Sequence, residues 1–483
     1  MSDISKLQQT MSEAQTYEQW LTAASKADKL NGSYDWQKKP ESKHYPYKVL
    51  QGHYQTISEL LENKDYLKLI PYIQESLYRT TAELSKPKLY QPAYTGTKTL
   101  VSNYLKLIDK ALKILCESEI DSISTKDKLA QFKQAEHNFG RPALMLSGGG
   151  TFGIYHIGVV ATLINHKLLP SIISGSSMGA ITAGMLATHT NKEVLTLLGK
   201  PEESNYSPLK RLPLKGIWQQ QSLLDPEQLR SCVEHNVGLM TFEEAFKKTG
   251  RNVSITISPA RTGQKPRILN YQTAPSVFVA SAAQASCSVP GLFPPCQLYE
   301  KNALGEKQAY LKGERWYDGS FATDIPRQRM SRLHNANYFI VSQANPHIVP
   351  FVSQRQDDGL AAFLADLLVS SSFSQGKALL KLGKRRFHSQ AWSSWLNHAS
   401  LMLDQDYLGD INIHPEFPPS WYTKFMKNPS PSERDYILKM GERCTWPKLA
   451  MIRDQTQVSR TLQACIAHLE QSAKEESLKA TAL

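Results

Sequence analysis

Residues 143–153 read ALMLSGGGTFG and residues 170–179 read PSIISGSSMG. Each stretch opens on a short apolar run and ends in small residues. Ala143–Ser147 runs into Gly148, Gly149 and Gly150, and Pro170–Ser174 runs into a Gly-Ser-Ser-Met-Gly turn. A helix-like stretch follows each, to about His166 after the first and from Ala180 to about Thr188 after the second. Strand, glycine loop, helix, strand, tight turn and helix is the order of an α/β domain built on a parallel sheet. Apolar runs at Val253–Ile257 and Tyr338–Val341 can supply further strands.

The flanks have a different texture. Residues 1–138 are rich in Lys, Glu, Gln, Tyr and Leu and carry helical spacing: Leu60, Leu61, Leu67, Ile70, Ile73 and Leu77, then Leu100, Tyr104, Leu107, Ile108, Ala111 and Leu115. Pro87, Pro92 and Gly96 break the pattern between these two runs. After Pro350 the pattern is helical again. Leu360, Phe363, Leu364, Leu367 and Leu368 share one helix face, and Val458 to Leu478 reads as a helix. The expected organisation is a helical accessory domain over 1–138, the α/β domain over 139–350, and a helical C-terminal region over 351–483 that completes it.

Composition narrows the class. The chain has 483 residues, 41% hydrophobic and 21% charged, which excludes disordered and fibrous architectures. The net charge of +12 suits an anionic surface. The basic residues are dispersed and no groove-reading module is present, so no nucleic-acid partner is expected. The six cysteines (Cys116, Cys232, Cys287, Cys296, Cys444 and Cys465) form no CxxC pair, so neither a disulfide framework nor a zinc knuckle is expected. No acidic loop suggests calcium, and no metal or cofactor is expected. The N-terminus lacks the apolar segment of a secretory signal. The longest apolar candidate, Gly153 to Ile173, is interrupted by His156, Asn165, His166 and Lys167, short of the ~18 uninterrupted apolar residues of a spanning helix. A cytoplasmic protein that meets membranes peripherally is the expectation.

Three features carry chemistry. Gly175-Ser176-Ser177-Met178-Gly179 has the G-x-S-x-G form that exposes a serine on a tight strand-to-helix turn, with Ser177 as the nucleophile and Ser176 at the variable position. Gly175 and Gly179 flank it because the turn needs small residues. Gly148, Gly149 and Gly150 can turn backbone N–H groups toward a developing oxyanion, although a phosphate loop or close packing would use glycines too. No G-K-[ST] follows, so this is not a Walker loop. In Trp316-Tyr317-Asp318-Gly319-Ser320, Asp318 can present a carboxylate at a turn, in a setting where Asp–Gly turns are common for purely conformational reasons. A Ser-His-Asp triad would draw its histidine from His334, His347, His388, His398, His414 or His468, none of which has a recognisable setting.

Together these features resemble the patatin-like lipases, in which a Ser–Asp dyad replaces the triad. The likeness extends through PRILNYQTAPSVFVASAAQASCSVPGLFPP (266–295), WYDGSFATDIP (316–326) and FIVSQANPHIVPF (339–351) to the storage-lipid branch, the triacylglycerol lipases. YEQW (17–20), LYQPAYTGTKTLVSNY (89–104), GDINIHP (409–415) and NPSPSE (428–433) continue it over about residues 15 to 465. The resemblance implies a three-layer patatin-like fold with a central, mostly parallel sheet. It implies Ser177 as nucleophile, Asp318 as general base, and the N–H groups of Gly148, Gly149 and Gly150 as the oxyanion hole. The implied reaction is hydrolysis of acylglycerol esters through an acyl-enzyme. Phospholipase A or lysophospholipase action by the same dyad, and a catalytically silent lipid-surface protein, are the alternatives. Phe152 stands where many patatins carry Arg or Lys, a basic residue that the storage-lipid branch also tends to lack, and no His is followed by Asp five residues later, so the H-x4-D acyltransferase motif is absent. Lys377, Lys381, Lys384 and Arg385 fall opposite Leu379 and Leu382 on an expected helix from Gln375 to Phe387, which suits a membrane or lipid-droplet surface. The helix Leu360–Leu368 suits a core or a lid. Oligomeric state is not legible.

Overall fold

The computed structural model describes residues 3–121, 123–220, 222–261, 264–345 and 407–481. Both expected helices, Leu360–Leu368 and Gln375–Phe387, lie outside the described residues. The chain forms two compact units. One comprises Met1–Pro142, His334–Tyr338 and Trp446–Leu483, and the other Ala143–Leu333 and Phe339–Thr445.

The first unit is helical. Helices Tyr47–Glu62, Tyr66–Leu84 and Thr99–Glu117 carry the apolar spacing seen in the sequence. The pattern that runs from Leu60 to Leu77 is cut once. Lys64 takes a positive φ of 55°, and the Asp65 carboxylate caps the next helix at the Lys68 N–H. Leu50, Ile57, Leu69, Ile73, Tyr104 and Ile108 form the buried core. The last helix, Leu449–Thr481, also belongs here. Its Val458, Leu462, Cys465 and Leu469 recur at helical spacing and enter the same core. Residues 449–481 therefore pack with the N-terminal helices, whereas the sequence pattern groups residues 351–483 with the α/β domain. Spacing alone identified the helix but could not say which partner its apolar stripe would meet.

The second unit is built on the sheet. Its strands are β1 (Arg141–Leu146), β2 (Ile172–Gly175), β3 (Asn252–Pro259), β4 (Arg267–Leu269), β7 (Trp316–Asp318), β8 (Ala336–Ser342) and β9 (Ile411–Ile413). A separate hairpin pairs β5 (Tyr299–Lys301) with β6 (Lys307–Ala309). The sheet order is β4-β3-β2-β1-β8-β9, with β7 also on β3. Pairs β1–β2, β2–β3 and β8–β9 are parallel, whereas β4 and β7 run antiparallel to β3. Every residue of β3 is buried, so both faces of the sheet are covered there, as a three-layer α/β architecture requires. All four expected strands are present. The helices after the two quoted stretches are Tyr155–Asn165, entered through a 3₁₀ turn at Gly150–Ile154, and Met178–Thr188.

If the last helix completes the helical core, Leu462→Ala should destabilise that unit by about 2–5 kcal/mol, the usual range for a buried leucine. Urea unfolding followed by circular dichroism would measure it. An unchanged midpoint would exclude Leu462 from the core.

Candidate active site

The site is assembled at the carboxyl ends of the central strands. β2 ends at Gly175 and the next helix starts at Met178, which leaves Ser177 at the junction with φ 51° and ψ −126°. L-residues rarely adopt such a backbone. The flanking glycines make it possible by letting chain segments touch. A Cβ on Gly175 would lie 2.3 Å from the Gly179 carbonyl oxygen, and one on Gly179 would lie 2.3 Å from that of Leu146. The Ser177 N–H donates to Ser286 Oγ at 3.0 Å, and Ser176, the neighbour, is fully buried. The helix behind Ser177 is buried along its whole length after Met178, and its N-terminus adds a positive dipole beside the hydroxyl.

Asp318 ends β7, paired to Ile257 of β3. It is 1% exposed. One carboxylate oxygen, Oδ1, accepts the Ser320 N–H at 2.8 Å. The other, Oδ2, is buried with no hydrogen bond of ordinary geometry. Burial pushes the Asp318 pKa up to about 6, and the Ser320 and Ser177 groups facing the carboxylate pull it part of the way back. Asp318 is thus a buried carboxylate with a spare lone pair, close enough to Ser177 to sense its hydroxyl.

The glycine loop meets the same point. A Cβ on Gly148 would lie 3.4 Å from Ser177 Cβ. Gly149 and Gly150 are tighter still, because a Cβ there would lie 2.8 Å from Ala344 and 2.5 Å from the Phe425 carbonyl oxygen. Gly148, expected as an oxyanion donor, has its N–H committed to Asp324 Oδ1 at 2.8 Å. A buried acceptor thus sits behind the loop at this glycine. Among the described residues the N–H groups of Gly149 and Gly150 have no hydrogen-bond acceptor.

Gly149, Gly150, Ser177 and Asp318 line one cavity of about 570 Å³. Ile154, Ile157, Ile181, Leu229, Leu292 and Phe293 make much of its wall, so an apolar chain fits where water would be poorly held.

Sequence reasoning missed two supporting residues. Asp324 is 1% exposed and accepts both the Gly148 N–H and Asn345 Nδ2, the latter at 2.9 Å. Burial raises its pKa to about 7, helped by the charge of Asp318. His156, noted in the sequence only as an interruption, is fully buried. Its Nε2 donates to the Ser147 carbonyl at 2.9 Å, which leaves Nδ1 to accept from Ser342 Oγ at 2.7 Å. Burial lowers its pKa to about 4, so it is neutral and structural rather than a triad base. Asp324 was legible only in that it shares the WYDGSFATDIP segment with Asp318. Among the described residues no group of three or more His, Cys, Asp or Glu side chains could hold a metal ion.

Residues 144–329 match the family described as patatin-like phospholipase, and residues 2–137 match a domain of unknown function, DUF3336. The chain is similar to triacylglycerol lipase ptl3 of Schizosaccharomyces pombe, 32% identical over 96% of this chain and 98% of the relative. It is 32% identical to triacylglycerol lipase 4 of Saccharomyces cerevisiae over 95% of this chain but 52% of that protein. It is 31% identical to triacylglycerol lipase 5 of the same yeast over 97% of this chain and 66% of that protein. The chain thus spans between about half and two thirds of the two budding-yeast relatives.

The buried carboxylate has a consequence for stability. The folded-state pKa of Asp318 lies above its ordinary 3.8, so the folded protein binds the more protons between about pH 4 and 6. Its stability therefore falls as pH rises through that window, by about 3 kcal/mol for a shift of about two units. Asp318→Asn should raise the unfolding midpoint at pH 8 and do so much less at pH 4. An equal effect at both pH values would contradict a buried ionisable Asp318.

Proposed function

The chain belongs to the patatin-like family, in the branch of the triacylglycerol lipases, and on that premise we propose that it hydrolyses the carboxylic esters of acylglycerols with a Ser177–Asp318 dyad. The observation that carries the reading is the strained Ser177 beside a buried, under-bonded Asp318 at the wall of an apolar cavity. Ser177 Oγ attacks the ester carbonyl while Asp318 takes the hydroxyl proton. The tetrahedral oxyanion is met by the N–H groups of Gly149 and Gly150, which have no other acceptor among the described residues. Asp318 returns the proton to the departing alcohol, and the acyl chain stays on Ser177 within the apolar cavity. Water, deprotonated by Asp318, then attacks the acyl carbonyl, and Asp318 passes the proton to Ser177 Oγ as the C–O bond breaks and the fatty acid leaves.

A carboxylate can act here without an intervening histidine because desolvation makes it a stronger base than an exposed Asp. His156 is bound to Ser147 and Ser342, and it supports no triad. Phospholipid hydrolysis by the same dyad is the second reading, in keeping with the family description, patatin-like phospholipase. Among the described residues no helix is long and apolar enough to cross a membrane. Access to an insoluble substrate would then be through peripheral contact with a membrane or lipid-droplet surface.

Fatty-acid release from triacylglycerol and phosphatidylcholine emulsions, offered separately, tests the proposal. Release from triacylglycerol is expected, with Ser177→Ala and Asp318→Asn each lowering kcat by about 10³-fold or more. Release only from phosphatidylcholine would keep the dyad and change the substrate. Full activity in Ser177→Ala would remove the mechanism.

With Asp318 as the base, kcat/KM should rise with pH and level off above about 6, where the carboxylate is ionised. A profile flat from pH 5 to 8 would argue against that role.

A further inference from the structure

The Ser147–Gly148 peptide is gripped at both ends by buried side chains. Its carbonyl accepts His156 Nε2 at 2.9 Å, and its N–H donates to Asp324 Oδ1 at 2.8 Å. The next peptide is held from one side only: the Gly148 carbonyl accepts Ser147 Oγ at 2.7 Å. In a trans peptide the carbonyl and the N–H point opposite ways. Fixing the Gly148 carbonyl therefore fixes the direction of the Gly149 N–H, which has no acceptor among the described residues and belongs to a residue lining the cavity.

Asp324 also ties this loop to the nucleophile. Its backbone carbonyl accepts Ser176 Oγ at 2.8 Å, and Ser176 Oγ bonds Thr256 Oγ1 of β3 at 2.6 Å. Its Oδ2 accepts Asn345 Nδ2, just beyond β8. The ends of β1, β2 and β8 and the body of β3 thus converge on one residue, which does not itself line the cavity.

We propose that Asp324, with His156 as its counterpart on the same peptide, is a positioning residue that orients the glycine loop so that the Gly149 N–H faces the oxyanion formed at Ser177. The inference rests on the ester-hydrolase reading. What the loop requires at residue 324 is an acceptor for the Gly148 N–H. Asparagine can supply one through its own Oδ1 if Asn345 turns its amide to accept from the new Nδ2. Alanine cannot.

Two readouts test this in the full-length chain, with thermal unfolding confirming that each variant is folded. The first is turnover of a short soluble ester such as p-nitrophenyl butyrate. Asp324→Ala is expected to lower kcat by about 10²-fold, the usual effect of losing an oxyanion donor, with KM changed less than about threefold. Asp324→Asn should restore most of that loss. His156→Gln, which keeps a donor, should be less impaired than His156→Ala. The second readout is amide hydrogen exchange of the Gly148 N–H by NMR, which needs no catalysis. It should quicken at least about tenfold in Asp324→Ala and not in Asp324→Asn. Unchanged exchange in folded Asp324→Ala would overturn the clamp. Quickened exchange with wild-type kcat would overturn its positioning role, and equal loss in Asp324→Asn and Asp324→Ala would show that charge, not an acceptor, is needed. If the wild type shows no Ser177-dependent turnover, the hydrolase reading falls, and the exchange data alone decide whether the clamp exists.

Discussion

Ser177 holds a backbone conformation that costs of order 1–3 kcal/mol, and much of the sheet unit is arranged to keep it there. The turn can form only where Gly175 touches the backbone of Gly179 and Gly179 touches that of Leu146. Those contacts pull the following helix against the strands. This explains its composition: MGAITAGMLAT is rich in Gly and Ala, is buried on every side after its first residue, and carries no charged side chain. A bulkier, amphipathic helix could not approach β2 and β3 closely enough to hold the serine in the turn.

Two carboxylates lie near this serine, and their surroundings give them different work. Asp324 has hydrogen bonds on both oxygens, from Gly148 and Asn345, and supports a loop. Asp318 has one oxygen bonded and one bare, so it retains the lone pair that a general base requires. Both are fully buried, and both pKa values are raised by desolvation. Two such groups resist carrying charge together. In the proposed reaction the better base is the one that faces Ser177, and the charge on Asp318 helps to raise the Asp324 pKa. The division of labour is set by hydrogen-bond partners rather than by residue type.

The parts of this arrangement visible in the sequence are those with short-range signatures. An apolar run ending in Gly148 and another ending in Gly175 suffice to place two strands and two turns, because local sterics dictate both. Asp318 was legible because an Asp–Gly turn follows an aromatic strand. Asp324 and His156 were not, because their partners are distant in sequence: Asp324 reaches Gly148, and His156 reaches Ser342. The same distance hid the commitment of the Gly148 N–H, since a glycine loop does not announce which of its donors are free. The final helix illustrates the limit for packing. Val458 and Leu462 advertise a buried stripe, but the stripe fits any apolar partner, and only the three-dimensional core assigns it to Ile108 and Leu115.

In the proposed mechanism the reacting groups and much of the cavity wall come from different parts of the sheet unit. Ser177, Asp318 and the glycine loop hang from strand ends, where the hydrogen-bonded sheet fixes positions closely. The outer cavity wall instead comes from segments 204–209 and 425–429, which belong to no strand. Side-chain amides pin the first of these in place. Asn236 bonds both the N–H and the carbonyl of Asn205, and Asn428 does the same for Leu209. The second segment is joined to the glycine loop through the Phe425 and Lys427 carbonyls, which accept the Thr151 N–H and hydroxyl. Changes along either segment can therefore reshape the space offered to an acyl chain while the strand-borne groups keep their geometry. A scaffold divided in this way would let the cavity wall change while the proposed nucleophile, carboxylate and oxyanion loop keep their places.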